Sequence, residues 1–244
     1  MQNFYAEITG MDAAMGELRK GLREMDKHED TLLWYTSDNG GLKSNSMGGL
    51  SGKKGNLLEG GIRVPAILEW PAKIPEPRTS SAPCNTSDFY PTLLELAGVP
   101  LPKGQPPLDG ISLVPLIEGK TDIRKKAMGF WDFPAPGRSR RARAMLESLR
   151  KEQQAGEVKP APKEGHVEKQ YSTKSFPGSV AWIDGDWKLL RSKGAPKLFN
   201  LSKDSAEKND MAGKHPEKVA EMQKALLTWQ KSVTHSLNGE DYKK

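Results

Sequence analysis

A single cysteine, Cys84, occurs in 244 residues. No disulfide can close within the chain, and cysteine usage does not report a redox compartment. No apolar run is long enough to span a bilayer, and the mean hydropathy of -0.66 describes a rather polar chain. Acidic residues are the scarcer charge: 31 Asp and Glu against 37 Lys and Arg give a net charge of +6. That balance admits an anionic glycan, a nucleic acid or a membrane surface as partner. It selects none of them, because the excess is concentrated between Arg138 and Lys169. Residues Met1 to Tyr5 lack a charged region followed by an apolar one, so no signal peptide is visible. The chain enters an α/β pattern almost at once, which leads us to expect a gene fragment or a start at an internal methionine. Its length suits one large or two small domains.

The most informative stretch runs from Thr31 to Pro65. It opens with Leu32-Leu33-Trp34-Tyr35-Thr36, an apolar, β-prone run that predicts a buried strand. Asp38 and Asn39 follow at the carboxyl end of that strand, where ligands of open α/β sheets usually sit. A long glycine-rich segment comes next, with Lys53, Lys54, Glu59 and Arg63 among its glycines. Asp-Asn-Gly alone is a common turn. A two-residue hairpin, however, returns at once to an alternating strand, and Leu42 to Asn56 is polar and glycine-rich. Such a loop is either disordered or shaped around something anionic.

Elsewhere the pattern alternates helix and strand. Met11, Ala14, Met15, Leu18, Leu22 and Met25 form an apolar stripe, predicting a helix over Ile8–Lys27 that Thr9 and Asp12 would open. A short strand is expected at Ala66–Trp70. A helix is expected at Asp88–Ala97, capped by Thr86 or Ser87, with Asp88 complementing the helix dipole. Cys84 reads as a small structural or free thiol. A short helix is expected near Asp109–Ile117 and a strand at Ala127–Phe133. Arg138–Lys169 reads as a basic, partly disordered insertion with one or two helical turns around Met145–Leu149. Its arginines could alternatively grip an anionic glycan. Val180–Ile183 and Trp187–Leu190 flank an Asp184-Gly185 turn and predict a hairpin, joined by a strand at Lys197–Leu201. A polar turn from Ser202 to Asp210 reads as a cap on that sheet. Pro216 opens a last helix striped by Val219, Met222, Leu226, Trp229 and Val233.

Ser37-Asp38-Asn39-Gly40, Lys54-Gly55, Glu59-Gly60-Gly61-Ile62-Arg63-Val64-Pro65 and Trp70-Pro71 together resemble the formylglycine-dependent sulfatases of the alkaline phosphatase superfamily. Asp88-Phe89-Tyr90-Pro91-Thr92 and Leu108-Asp109-Gly110 continue the likeness in the same order. It runs from about Tyr5 to about Gly119 and resumes near Ser179. The resemblance implies the C-terminal part of a mixed-sheet α/β catalytic domain over residues 1–133, a basic insertion over 134–178, and a small antiparallel α+β subdomain over 179–244.

The same resemblance implies sulfuric ester hydrolysis of a sulfated carbohydrate or aryl sulfate, aided by a divalent cation, usually Ca2+. Asp38 and Asn39 match metal ligands, and both offer hard oxygen donors. Lys54 matches the lysine that contacts sulfate oxygens; Lys53 is its neighbour, and the spacing to Glu59 favours Lys54. Glu59 and Arg63 are expected to hold the loop as a local ion pair. The family's nucleophile is a formylglycine made within Cys-x-Pro-x-Arg or Ser-x-Pro-x-Arg, and neither string occurs in these 244 residues. The remaining acidic ligands and catalytic histidines would also belong to a missing N-terminal half. His28, His215 and His235 read as surface residues, and His166 lies in the insertion. The chain alone is therefore expected to be inactive. Other readings are a metal-dependent phosphoester or phosphonate hydrolase of the same superfamily, and a non-catalytic glycan-binding module. Nucleic-acid binding, resting only on the basic insertion, is the weakest. Family members are commonly exported, so a periplasmic or extracellular location is expected.

Overall fold

The computed structural model describes residues 2–42, 47–133, 138–156 and 170–242. Pro134–Gly137 and most of the insertion's second half, including His166, lie outside the described residues. The chain divides into two compact units. The first comprises residues 1–40, 63–100 and 110–124; the second comprises 41–62, 101–109 and 125–244.

In the first unit, helix α1 (Gln2–Glu24) begins earlier than the periodicity suggests. Thr9 lies inside it, and its hydroxyl donates to the Tyr5 carbonyl at 3.0 Å. A threonine can satisfy itself in this way within a helix, so it does not mark a start. Met15 and Leu22 on the apolar stripe are half-buried, whereas Met11, Leu18 and Met25 are exposed. Strand β1 (Leu33–Thr36) pairs antiparallel with β2 (Ala66–Glu69), placing Leu33 opposite Glu69. Glu69 also receives Arg19 and Arg23 at 2.6 and 3.4 Å. Strand β1 is half-buried along its length, not fully buried as its composition suggests. Among the described residues its sheet has two strands only, too few to enclose a strand on both sides.

Helix α3 (Phe89–Leu96) is entered through a short turn capped by Asn85, not by Thr86 or Ser87. The Asn85 side chain accepts from the Ser87 amide, and the Asp88 carboxylate accepts from the Asn85 amide. This reciprocal arrangement closes both free N–H groups at once. Asp88 is fully buried and also receives the Ile111 amide at 2.8 Å and both arms of Arg124 at 2.7 and 3.0 Å. Thr92 relays the Asp88 carbonyl to the Leu113 amide. A single turn, α4 (Val114–Ile117), follows.

The second unit is built on a four-stranded antiparallel sheet in the order β3 (Met128–Asp132), β4 (Ser179–Asp184), β5 (Trp187–Arg191), β6 (Lys197–Asn200). Its edge strand β3 pairs with β4 from Met128–Ile183 to Asp132–Ser179, so a boundary after Phe133 runs through one sheet. Helix α6 (Pro216–Leu237) lays Met222 and Leu226 on Val180, Leu189 and Leu198, with Trp131, Trp182, Trp187 and Trp229 packed around them. These apolar side chains are the core that holds the unit together. Within the insertion, α5 (Arg138–Ala155) is one continuous helix, longer than the one or two turns expected around Met145–Leu149. That run contains no glycine or proline and is rich in Arg, Ala, Leu and Glu, which favour helix. Its Met145, Leu146 and Leu149 are exposed. The architecture is thus mixed α/β, with two antiparallel sheets and a C-terminal helix.

Candidate anion-binding loop and metal-ligand pair

Asp38 and Asn39 leave the end of β1, in the first unit. Thr36 ties that end to β2 by donating to the Pro65 carbonyl at 3.3 Å. Ser37 donates to the Asn39 carbonyl at 3.0 Å, bending the backbone so that consecutive side chains can diverge. Asp38 is exposed and Asn39 half-buried. The pair offers one anionic and one neutral oxygen, a donor set suited to a hard cation. It fills part of such an ion's shell of six to eight oxygens. Among the described residues no three His, Cys, Asp or Glu side chains are grouped to hold a metal. The residues fit the ion in kind and fall short of it in number.

Lys54 belongs to the second unit. Its amide donates to the Gly41 carbonyl at 2.8 Å. The Asn56 amide donates to the Lys53 carbonyl at 2.9 Å, and the Lys53 amide donates to the Asn56 side chain at 3.2 Å. The backbone on both sides of Lys54 is therefore fixed. The side chains of Lys53 and Lys54 are exposed and form no ion pair among the described residues. Two exposed cations thus stand on a glycine-bearing loop whose backbone is fixed, and a lysine so placed offers a point charge to an oxyanion.

That loop is packed against α2 (Glu59–Ile62). A Cβ on Gly60 would stand inside 3.0 Å of the Ser51 and Gly52 carbonyls. One on Gly61 would do the same to the Asn56 and Lys53 carbonyls. Only glycine lets the helix approach so closely, which explains the double glycine beyond any need for turn conformations. The Gly60 amide then reaches the Ser51 carbonyl at 2.7 Å.

Glu59 does not pair with Arg63. It is 4 % exposed and accepts from the Lys188 ammonium at 2.8 Å. A buried carboxylate requires a buried partner, which the exposed Arg63 cannot be. Lys188, itself fully buried, also stands 2.8 Å from the Glu207 carboxylate. The second Glu207 oxygen accepts from the Glu59 amide at 2.6 Å. Two carboxylates thus share one ammonium. Burial pushes the Glu207 carboxyl above its ordinary range, against the downward pull of Lys188. Sequence reading missed both Lys188 and Glu207. The available signal was a lysine inside the apolar run Trp187-Lys188-Leu189-Leu190, where a charge must be buried and therefore paired.

The remaining candidates are accounted for outside the chemistry. Cys84 is a free thiol. Desolvation at the sulfur, then the charge of Asp88, hold its pKa above the ordinary thiol value although the residue as a whole is exposed. This is the opposite of an activated nucleophile. His235 faces Asp241 at 3.4 Å, His28 faces Glu29 at 3.2 Å, and His215 packs edge-on against Trp187 at 5.0 Å.

Two family models match the chain. The sulfatase model covers residues 1–99, and the model for the C-terminal region of N-sulphoglucosamine sulphohydrolase covers residues 52–151. Residues 1–151 are thus similar to sulfatases. It is 39% identical to human (Homo sapiens) steryl-sulfatase over 124 residues, which cover 47% of this chain and 21% of that protein. The crystal structure of Ps i-CgsB in complex with k-i-k-neocarrahexaose overlays at a TM-score of 0.66 and 23% identity, covering 93% of this chain and 45% of that one. The phosphonate monoester hydrolase of Agrobacterium radiobacter overlays at 0.62 and 21% identity, covering 93% and 41%. At these identities the two structures speak for the shared fold. The chain spans less than half the length of each of these relatives.

Proposed function

We propose that the chain carries part of the site of a sulfuric ester hydrolase acting on a sulfated carbohydrate or an aryl sulfate. Lys54 binds the sulfate oxygens, and Asp38 and Asn39 give two oxygens to a divalent cation, Ca2+ by family resemblance. Such a cation, when bound, offsets the negative charge that crowds around a sulfate under nucleophilic attack. The chain's own residues hold and orient: among the described residues Lys54 carries an exposed ammonium outside any ion pair, on a loop whose backbone is already fixed. That preorganised backbone is the observation that carries the reading, because little energy is then needed to order the loop around an anion. Both matching family models are sulfatase models, which favours a sulfate over a phosphonate ester. An exported location, periplasmic or extracellular, is proposed on the family resemblance alone.

The 244 residues hold no Cys-x-Pro-x-Arg or Ser-x-Pro-x-Arg, so the nucleophile of this reaction would have to come from elsewhere. The purified chain should therefore hydrolyse an aryl sulfate no faster than its Lys54→Ala variant. Expressed together with the genomic reading frame upstream of Met1, it should turn over. Lys54→Ala should then lower kcat by about 10²–10³, the usual loss when one oxyanion donor is removed. Turnover indifferent to Lys54→Ala would overturn the reading. Preferential hydrolysis of a phosphonate monoester would transfer the site to that chemistry.

A further inference from the structure

The residues that fix the Lys54 loop lie far along the chain. Ser51, at the loop's start, donates its hydroxyl to the Ala206 carbonyl. Glu59, at its end, donates its amide to the Glu207 carboxylate at 2.6 Å. Two consecutive residues of the 204–209 turn therefore grip both ends of the segment that bears Lys53 and Lys54. Lys188, the second residue of β5, bridges the Glu59 and Glu207 carboxylates at 2.8 Å each.

The gripping turn is itself held under strain. Glu207 sits at a φ of 55°, a left-handed backbone that a residue with a side chain adopts at a cost. An outlier of this kind persists only where its surroundings over-determine it. Here they do. Asp204 accepts from the Asn209 amide at 2.7 Å, and the Glu207 amide donates to the Asp204 carbonyl at 3.1 Å. Asp210 accepts from the Leu198 and Ala212 amides at 3.1 and 2.9 Å, anchoring the turn to β6. A turn that merely covered the sheet would not require a left-handed glutamate aimed at another segment's amide.

We infer that the Ala206–Glu207 turn is a positioning clamp for the Lys54 loop, with Glu207 and Lys188 as positioning residues for the anion-binding ammonium. The clamp acts through the backbone. It sets where residues 51 and 59 are placed, and the double glycine transmits that placement to the Lys53 and Asn56 carbonyls. This inference rests on the sulfate reading for its functional meaning and on the geometry for its existence.

Amide hydrogen exchange on the full 244-residue chain tests it. Glu207→Ala should raise exchange at Glu59 and across Lys53–Asn56 by tenfold or more, while the Leu189 amide in the centre of the same sheet stays protected. Glu207→Gln retains an oxygen to accept the Glu59 amide and should restore protection. Lys188→Met leaves both carboxylates without their cation and should loosen Glu59 in the same way. Uniform loss of protection across loop and sheet, or no change in the loop with Glu207→Ala, would overturn the clamp. Lys54→Ala separates the two claims. It should leave loop exchange unaltered, and in the protein extended upstream of Met1 it should lower kcat by about 10²–10³. In that extended protein Glu207→Ala should raise KM for the aryl sulfate at least tenfold, with Glu207→Gln close to the parent. A failed Lys54 arm with an intact exchange arm would sink the sulfate reading and leave the clamp standing.

Discussion

Among the described residues each unit buries one ionic cluster, and the two differ in balance. In the first unit Asp88 meets both arms of Arg124, and its oxygens also receive the Asn85 and Ile111 amides. Charge and hydrogen bonding are both satisfied there, with no unusual backbone. In the second unit Glu59 and Glu207 share one lysine, Glu207 is left-handed, and its pKa is raised by burial. One Glu207 oxygen lies 2.8 Å from Lys188 yet lacks a well-aligned hydrogen bond. A balanced pair secures a fold. An unbalanced, strained cluster reaching an adjacent loop signals that something besides stability is being specified.

The largest effect should come from breaking the balanced pair. Arg124→Met leaves the Asp88 carboxylate buried with amides only. The loss is expected to be about 3–5 kcal/mol, the usual cost of orphaning one member of a buried pair. Thermal unfolding and exchange at the Leu113 amide measure it. A loss below 1 kcal/mol would mean that the capping amides alone suffice and that the contrast between the clusters is overstated. Next in size is Gly61→Ala. The added methyl overlaps the Lys53 and Asn56 carbonyls and should cost about 1–3 kcal/mol, as overpacking does. The damage should be confined to exchange in residues 51–62, sparing β4 and β5.

The contrast was only half legible in the sequence. Hydrophobic alternation located β4, β5 and β6 to within a residue, and the three-four spacing of Met222 and Leu226 located α6, because apolar period reports local geometry directly. Asp38, Asn39 and Lys54 stood out because short motifs keep them near neighbouring strands and turns. Glu59 was noticed and then given the wrong partner. A partner 129 residues away leaves no local trace, and sequence proximity favoured Arg63. Glu207 was read as a cap for the same reason. Likewise the charge of Arg138–Lys169 argued for partial disorder, while the absence of glycine and proline from Arg138–Ala155, a weaker signal, pointed to the helix that forms there.

A smaller effect should separate the clusters by pH. The native Glu207 carboxyl is raised above its ordinary 4.5 by burial, so the folded state holds this proton to higher pH than the unfolded state does. Its contribution to stability is then greatest at acid pH. It declines as pH rises from the ordinary carboxylate range through the raised native value. Glu207→Gln lacks the titration, so its stability relative to the parent should increase with pH over that window and level off above it. Denaturant unfolding at a series of pH values provides the test. A Gln variant that instead loses ground as pH rises would show that Lys188 outweighs burial, making the second cluster an ordinary ion pair.

The smallest effect uses Cys84 as a reporter on the first cluster. Its thiol is raised first by desolvation, then by the Asp88 charge, with Arg124 pulling the other way. At neutral pH it should react with a small thiol reagent more slowly than an unperturbed cysteine, since only the thiolate attacks. Arg124→Met removes the opposing cation while Asp88 remains. The Cys84 pKa should then climb further and labelling should slow again, with the midpoint of its pH–rate curve displaced upward. Faster labelling accompanied by loss of protection at the Thr92 and Leu113 amides would mean that the first cluster opens without its arginine. Faster labelling with those amides still protected would mean that the Asp88 charge does not hold the thiol up, and the first cluster would then not depend on its balance.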